Sequence, residues 1–313
     1  MKKIMFIMIL ASMFLMSCEA KKNDDLDIEE NESTVVSEVA GENEDVKVDE
    51  ETKSETTMTE ETDSEPEKKI FVMDKEIKFE KDNVEGKIKY LELNEDGATL
   101  HIDISNKTSK KIAVRTAYES INSYMVYGES ELNLEPKETS LMKVFFSKQE
   151  LDNSNITEIK KIEFKFIVSD PDTEDEMFRI NNVVLDISKD GLEEIAYEKK
   201  DIVLDQNGLK LIKIKDEKLS SGEYKLRLLA INNTGKDIFV SDVDAYVNDI
   251  KETANFKANI LSGKKAFIPI KFEDMTLKKY GANNLETVKL QISVFTEDLL
   301  TELFISPLFF IKY

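Results

Sequence analysis

The sequence predicts an all-β protein: two tandem antiparallel β-sandwiches, 69–190 and 191–313, behind an apolar leader and an acidic tether. Three observations carry this. Apolar and polar residues alternate with period two in short runs beyond Lys68. Turn-forming clusters separate the runs. The whole pattern then recurs at a fixed offset of 126 positions, so that Asn106, Thr108, Lys110, Ile112, Val114 and Asn122 return as Asn232, Thr234, Lys236, Ile238, Val240 and Asn248.

The leader, residues 1–18, reads MKKIMFIMILASMFLMSC. Lys2 and Lys3 form a positive start, and Ile4 to Met16 form an apolar run shorter than the roughly 20 residues a membrane-spanning helix needs. This is the pattern of a secretory signal. The run ends in Leu15-Met16-Ser17-Cys18, which resembles the lipobox of bacterial lipoproteins, with Met16 bulkier than the residue usual at its place. The resemblance implies a diacylglyceryl group on the Cys18 thiol, hence a chain held by its lipid on the outer face of a cell membrane. Cys18 is the one cysteine, so no intrachain disulfide competes for it. The alternative is a plain signal peptide with a free thiol nearby.

Residues 19–68 hold 20 acidic and 5 basic side chains, a net of −15 out of the −21 of the whole chain. Such a segment buries too little apolar surface to offset chain entropy, so disorder is expected of it. It serves either as a spacer or as a bland soluble leader. The acidity opposes nucleic-acid binding, which needs a basic face. One histidine, one cysteine and no tryptophan exclude a Cys/His zinc module. No cofactor is expected.

In the first copy, Gly86 to Leu93, Leu100 to Ile104 and Ile162 to Phe166 each read as half-buried strands. Asn94-Glu95-Asp96-Gly97, Asn106-Lys107-Thr108-Ser109 and Glu135-Pro136-Lys137 read as turns, with about eight strands in all. Helical periodicity is confined to Ser147–Leu151 and Asp274–Tyr280. The final stretch, Glu302 to Tyr313, maps onto the last strand of the first copy and should complete the second sandwich, with Pro307 at an edge or bulge because it cannot donate to a ladder.

Asn106 to Lys110, Asn122-Ser123-Tyr124-Met125, Ser147 to Leu151, Lys161 to Phe164 and Lys264-Lys265 after Gly263 together resemble a module of surface and secreted proteins of clostridia and related bacteria. The resemblance spans both copies, Ile70 to Tyr313, and departs at Ile250-Lys251. It implies immunoglobulin-like domains of unassigned activity at a cell surface.

Candidate chemistry is sparse. Asp170 to Glu176 offers oxygen ligands for calcium but lacks the glycine and distal glutamate of an EF-hand, and reads as a solvated turn. Ser262-Gly263-Lys264-Lys265 has the Ser-x-x-Lys spacing of penicillin-binding enzymes without their companion motifs, and reads as a hairpin. His101, between Leu100 and Ile102, is expected to face solvent on a strand. Tyr118, Tyr124, Met125 and Tyr127 crowd one segment of the first copy; tyrosines suit recognition and sandwich cores alike. These observations lead to an expected non-catalytic binding or spacing module for a protein or cell-wall component. The alternatives are an accessory or solute-binding lipoprotein of a transporter or envelope enzyme, or an enzyme whose cleft the sequence does not reveal.

Overall fold

The computed structural model describes residues 69–312 apart from 189, 193, 219–223 and 273–285. The leader, Cys18, the acidic tether and the helical pattern at 274–280 lie outside the described residues. Among those described, the chain is all-β, its sheets antiparallel but for one parallel bridge and set in a sandwich-like arrangement, and no helix is long and apolar enough to cross a membrane.

In the first sandwich, β1 (Lys69–Lys81), β2 (Val84–Asn94), β3 (Gly97–Asn106) and β7 (Thr139–Ser147) form one sheet in the order β1-β2-β3-β7. Facing it run β5 (Tyr124–Met125), β4 (Ile112–Ile121), β8 (Lys161–Ser169) and β9 (Glu176–Asp186), with β6 (Leu132–Leu134) on β4. A six-residue helix, α1 (Lys148–Asn153), follows β7. Ser147 caps it by accepting from the Glu150 amide, which starts the helix where the period-two pattern stops.

The second sandwich repeats the plan. One sheet holds β10 (Ile202–Gln206), β11 (Leu209–Lys218), β12 (Tyr224–Asn232) and β16 (Lys265–Phe272). The other holds β14 (Ile250–Glu252), β13 (Ile238–Val247), β17 (Thr287–Thr296) and β18 (Glu302–Ile305), with β15 (Lys257–Ile260) on β13 and β19 (Phe309–Lys312) on β17. Pairing registers carry over at the same offset: Ala98 opposite Phe146 becomes Tyr224 opposite Phe272, and Ile121 opposite Ile162 becomes Val247 opposite Val288. The tail does complete the second sandwich. Pro307 sits in the break between β18 and β19, where no ladder hydrogen bond is asked of it.

The repeated Asn-x-Thr words work through side chains. Asn106 Nδ2 donates to the carbonyls of Lys110 and Leu134, and Asn232 Nδ2 donates to those of Lys236 and Ile260. Each Asn Oδ1 accepts from the following Thr at 2.7 Å. Asn122 and Asn248 form a second matched pair: their Oδ1 atoms accept from the amides of Lys160 and Lys161, and of Glu286 and Thr287. Backbone groups that would be orphaned in the turns after β3 and β12, at the ends of β6 and β15 and at the starts of β8 and β17 are thereby satisfied.

Each sandwich has its own apolar cluster. Leu100, Ile102, Phe146, Phe164 and Phe166 lie in the first, and Leu226, Leu228, Ile268, Ile292 and Val294 in the second. Ile212 and Leu229 of the second sandwich turn outward and join the first cluster, together with Ile187 and Ile195 of the strand-free connection.

His101 departs from expectation. It is 3% exposed, its ring stacks on Tyr90 with centroids 4.1 Å apart, and Nε2 lies 3.3 Å from Glu92 Oε2. A register shift between Ile88 and Tyr90 places Tyr90 opposite His101, and this aromatic neighbour covers what alternation alone would leave in water.

Candidate functional site

The two sandwiches meet at a junction built on β5. Tyr124 pairs in parallel with Lys265, and the Lys265 amide donates to the Ser123 carbonyl at 2.9 Å, so one nine-stranded sheet runs through both modules. Asn122 and Ser123 make the sharp turn that presents this carbonyl, both with left-handed backbone (φ 52 and 70). The Tyr124 ring stacks on Phe267 at 5.6 Å, and Lys265 Nζ lies 5.4 Å above it. Met125 packs against the second apolar cluster.

Beside the strand pair lies a charge network. Lys165 Nζ is 3.3 Å from Asp237 Oδ2 and 3.1 Å from Glu297 Oε2, and Arg179 Nη1 is 3.9 Å from Glu297. Lys264 bridges to Glu163. Burial raises the Asp237 and Glu163 carboxyls. For Asp237 the Ser262 amide and Lys165 outweigh it, and for Glu163 the Lys264 and Lys161 ammoniums do, so both end below the usual carboxylate range.

Tyr118 sits where β4 bulges between Ala117 and Ser120, with φ 55. The bulge sends the Tyr118 ring outward, 4.2 Å beneath Lys165 Nζ. Burial, and a hydrogen bond to the Glu297 carboxylate, push its phenol up to about 12. The same bulge turns Glu119 inward, where it is 4% exposed. Glu119 Oε1 accepts from Thr116 Oγ1 at 2.5 Å, and Thr116 Oγ1 in turn lies 2.8 Å from Ser130 Oγ. Burial raises the Glu119 carboxyl above its ordinary value, partly offset by the Thr116 hydroxyl and the Gly128 amide. Gly128 is required here: a Cβ would meet the Phe146 ring at 2.8 Å and Glu119 Cγ at 3.2 Å.

These groups wall a cleft of about 550 Å³ between the modules. Arg115, Met125, Tyr127 and Glu176 lie on one side, with Lys257, Asn259 and Phe267 on the other. Of the four residues singled out in sequence, Tyr118, Met125 and Tyr127 reach this cleft, and Tyr124 is buried in the junction. Tyr127 is 67% exposed and is the tyrosine best placed to meet a ligand. Arg115, Glu119 and Lys257 were not foreseen, since each is a charged residue on an alternating strand and only the bulge and the second module bring them together.

The cleft can offer an aromatic face, guanidinium and ammonium donors, and the buried Glu119 carboxyl, which burial raises above its ordinary value. The Ser130, Thr116 and Glu119 chain ends on a carboxyl already occupied by hydroxyl and amide donors. Asp170 to Glu176 is a self-capped turn, with the Asp172 amide on Asp170 Oδ1. Among the described residues no three His, Cys, Asp or Glu side chains group so as to hold a metal ion. Ser262 to Lys265 is the β15–β16 turn, where Gly263 takes φ 75 and the Lys264 amide donates to the Leu261 carbonyl.

No protein-family profile and no curated protein matches this chain. Among solved structures, the YadV chaperone aligns over 69% of this chain and 92% of its own at 11% identity, with a TM-score of 0.22. A protein of unknown function from Porphyromonas gingivalis W83 aligns over 70% and 90% at 14% identity, with a TM-score of 0.18. Likenesses this slight carry no argument about what the chain does.

Proposed function

We propose that this chain is an extracytoplasmic lipoprotein, held on the cell membrane by lipid at Cys18, whose two sandwiches act as a non-catalytic binding or spacing module toward a protein or cell-wall component. Two acyl chains, at about 0.8 kcal/mol per buried methylene, suffice for stable attachment. A tether of the 19–68 composition, if disordered, has a root-mean-square span of roughly 40 Å. The observation that carries the binding role is the junction cleft, where exposed Tyr127 stands beside Arg115 and Met125 on one wall and Lys257 on the other. A large amphipathic ring among charged groups of both signs suits recognition of a polar surface. The hydroxyl–carboxyl chain at Glu119 serves to hold the bulge, which favours a binding over a catalytic reading.

The test is affinity capture from the native envelope with the full chain and with a Tyr127→Ala, Arg115→Ala variant. Tyr127 and Arg115 are exposed, so the fold should survive their removal. A specific envelope component retained by the parent and lost by the variant is expected. Equal retention by both would remove the cleft from the account.

A further inference from the structure

We propose that a second pocket at the junction, separate from the cleft, binds a small aliphatic α-amino acid as its zwitterion. The proposal is independent of the lipid at Cys18 and of the pair Tyr127 and Arg115. The pocket holds about 300 Å³ and shares no lining residue with the cleft. Three segments enclose it: the β4–β5 turn with Asn122 and Tyr124, the stretch after α1 with Ile156 and Lys160, and the connection between the modules with Glu194 and Ile195. Small-molecule sites favour such junctions and combine apolar walls with a few fixed polar groups.

Two buried polar groups on these walls are short of partners. Lys160 is 8% exposed, yet its ammonium, which can donate three bonds, has one carbonyl within reach, that of Gly191 at 3.2 Å. Its other neighbour is Glu158 Oε2 at 3.5 Å, so one donor is left open. The Tyr124 ring is fixed by its stack on Phe267, but its hydroxyl, buried in a residue 5% exposed, makes no hydrogen bond among the described residues. Buried polar groups are nearly always paired, so an open ammonium donor and an unbonded hydroxyl beside one pocket mark a place for an acceptor. A carboxylate suits both, because a charge-assisted bond to Lys160 is stronger than a neutral one.

The mouth carries the opposite sign. Glu158 and Glu194 stand there, their side chains 64% and 81% exposed. Lys265 Nζ lies 3.1 Å from Glu194 Oε1, so the two carboxylates and two ammoniums around the pocket sum to no net charge. A simple anion would be repelled by the two glutamates, and a simple cation by Lys160. A molecule carrying both charges, with the anion inward, meets neither penalty. An α-amino acid supplies a carboxylate for Lys160 and Tyr124 and an ammonium for Glu158 and Glu194. Its side chain then faces Ile156, Ile195 and Ala196, which sets the class as aliphatic.

Titration calorimetry of the full chain carrying Cys18→Ser, which cannot be acylated, with alanine, valine and leucine tests this. Saturable one-to-one binding of at least one of them is expected. Its N-acetyl derivative, which lacks the cation, and its amide, which lacks the anion, should each bind about tenfold more weakly or worse. Lys160→Met should weaken binding to the same degree. Tyr124→Phe keeps the ring and its stack and removes one oxygen. It should weaken binding likewise while leaving the melting temperature of the ligand-free chain equal or higher, because the hydroxyl lost there was unbonded. The Tyr127→Ala, Arg115→Ala variant should bind the amino acid like the parent, which separates this site from the cleft. Binding of none of the three amino acids, equal binding of the blocked derivatives, parental binding by Tyr124→Phe or Lys160→Met, or loss of binding in the cleft variant would each overturn the proposal.

Discussion

The amide of Asn232 carries the most sharply testable energetics in the fold. It is buried (0% exposed), its Nδ2 donates to the Lys236 and Ile260 carbonyls at 2.8 Å each, and its Oδ1 accepts from the Thr234 amide at 3.0 Å and hydroxyl at 2.7 Å. Asn232→Ala removes all four bonds. Water can replace those at partly exposed Thr234, but the Ile260 carbonyl, bonded in the interior, is left wanting. At about 1 kcal/mol per bond lost and about 1 to 3 for a buried group left unsatisfied, a cost of about 3 kcal/mol is expected. Asn232→Asp is nearly isosteric and keeps both acceptor bonds, yet it turns a donor of two bonds into an anion facing two carbonyl oxygens. It should therefore cost at least as much at neutral pH. Its folded-state pKa would lie above the unfolded value, so the folded protein would bind the extra proton, and the loss should shrink as pH falls and the protonated acid donates again. Urea unfolding of the full chain at neutral and mildly acidic pH reads both effects. If Asn232→Asp unfolds with the parent at neutral pH, or if its deficit does not shrink on acidification, the amide is not what closes this turn.

Further outcomes follow from the junction and its cleft. Lys165→Ala leaves Asp237 and Glu297 without the cation between them and should cost on the order of 2 kcal/mol, less than for a fully buried pair. Thermal melts should then show the modules unfolding more independently; an unchanged profile would make the network ornamental. Glu163 and Asp237 both lie below the usual carboxylate range, so their contributions are present above the unfolded values and lost as pH falls through the folded ones. Acid should loosen the junction, and the Lys165→Ala variant should lose less on acidification than the parent. Glu119 has the opposite sign. Its carboxyl is raised, so stability contributed there declines as pH climbs above about 4.5, and Glu119→Gln should flatten that decline in denaturation measured across the range.

Much of this architecture was legible in the repeat. Alternation located the strands, and the constant offset carried turns, registers and the closing strand from one copy to the other, because each is set by local pattern and by Asn side chains present in both. Helical spacing marks Ser147–Leu151, where the structure has α1. Legibility ended where the copies differ. The junction uses Tyr118, Tyr124, Lys165 and Phe267, whose images are Asp244, Ile250, Gln291 and Leu141, so no repeated word marks it. The sequence leaves Tyr124 open between core packing and ligand contact, and the structure buries it as packing. The Tyr118 bulge was hidden as well, since a left-handed tyrosine has no local signature and the inward turn of Glu119 follows only from it. His101 read as exposed because alternation takes no account of a neighbouring strand whose register slips by one residue.

Cell fractionation after Cys18→Ser tests the proposed attachment at Cys18 most directly. The parent chain should partition with membranes and be released only by detergent, while the Cys18→Ser chain should move to the soluble fraction. Undiminished membrane association of the Cys18→Ser chain would contradict the account.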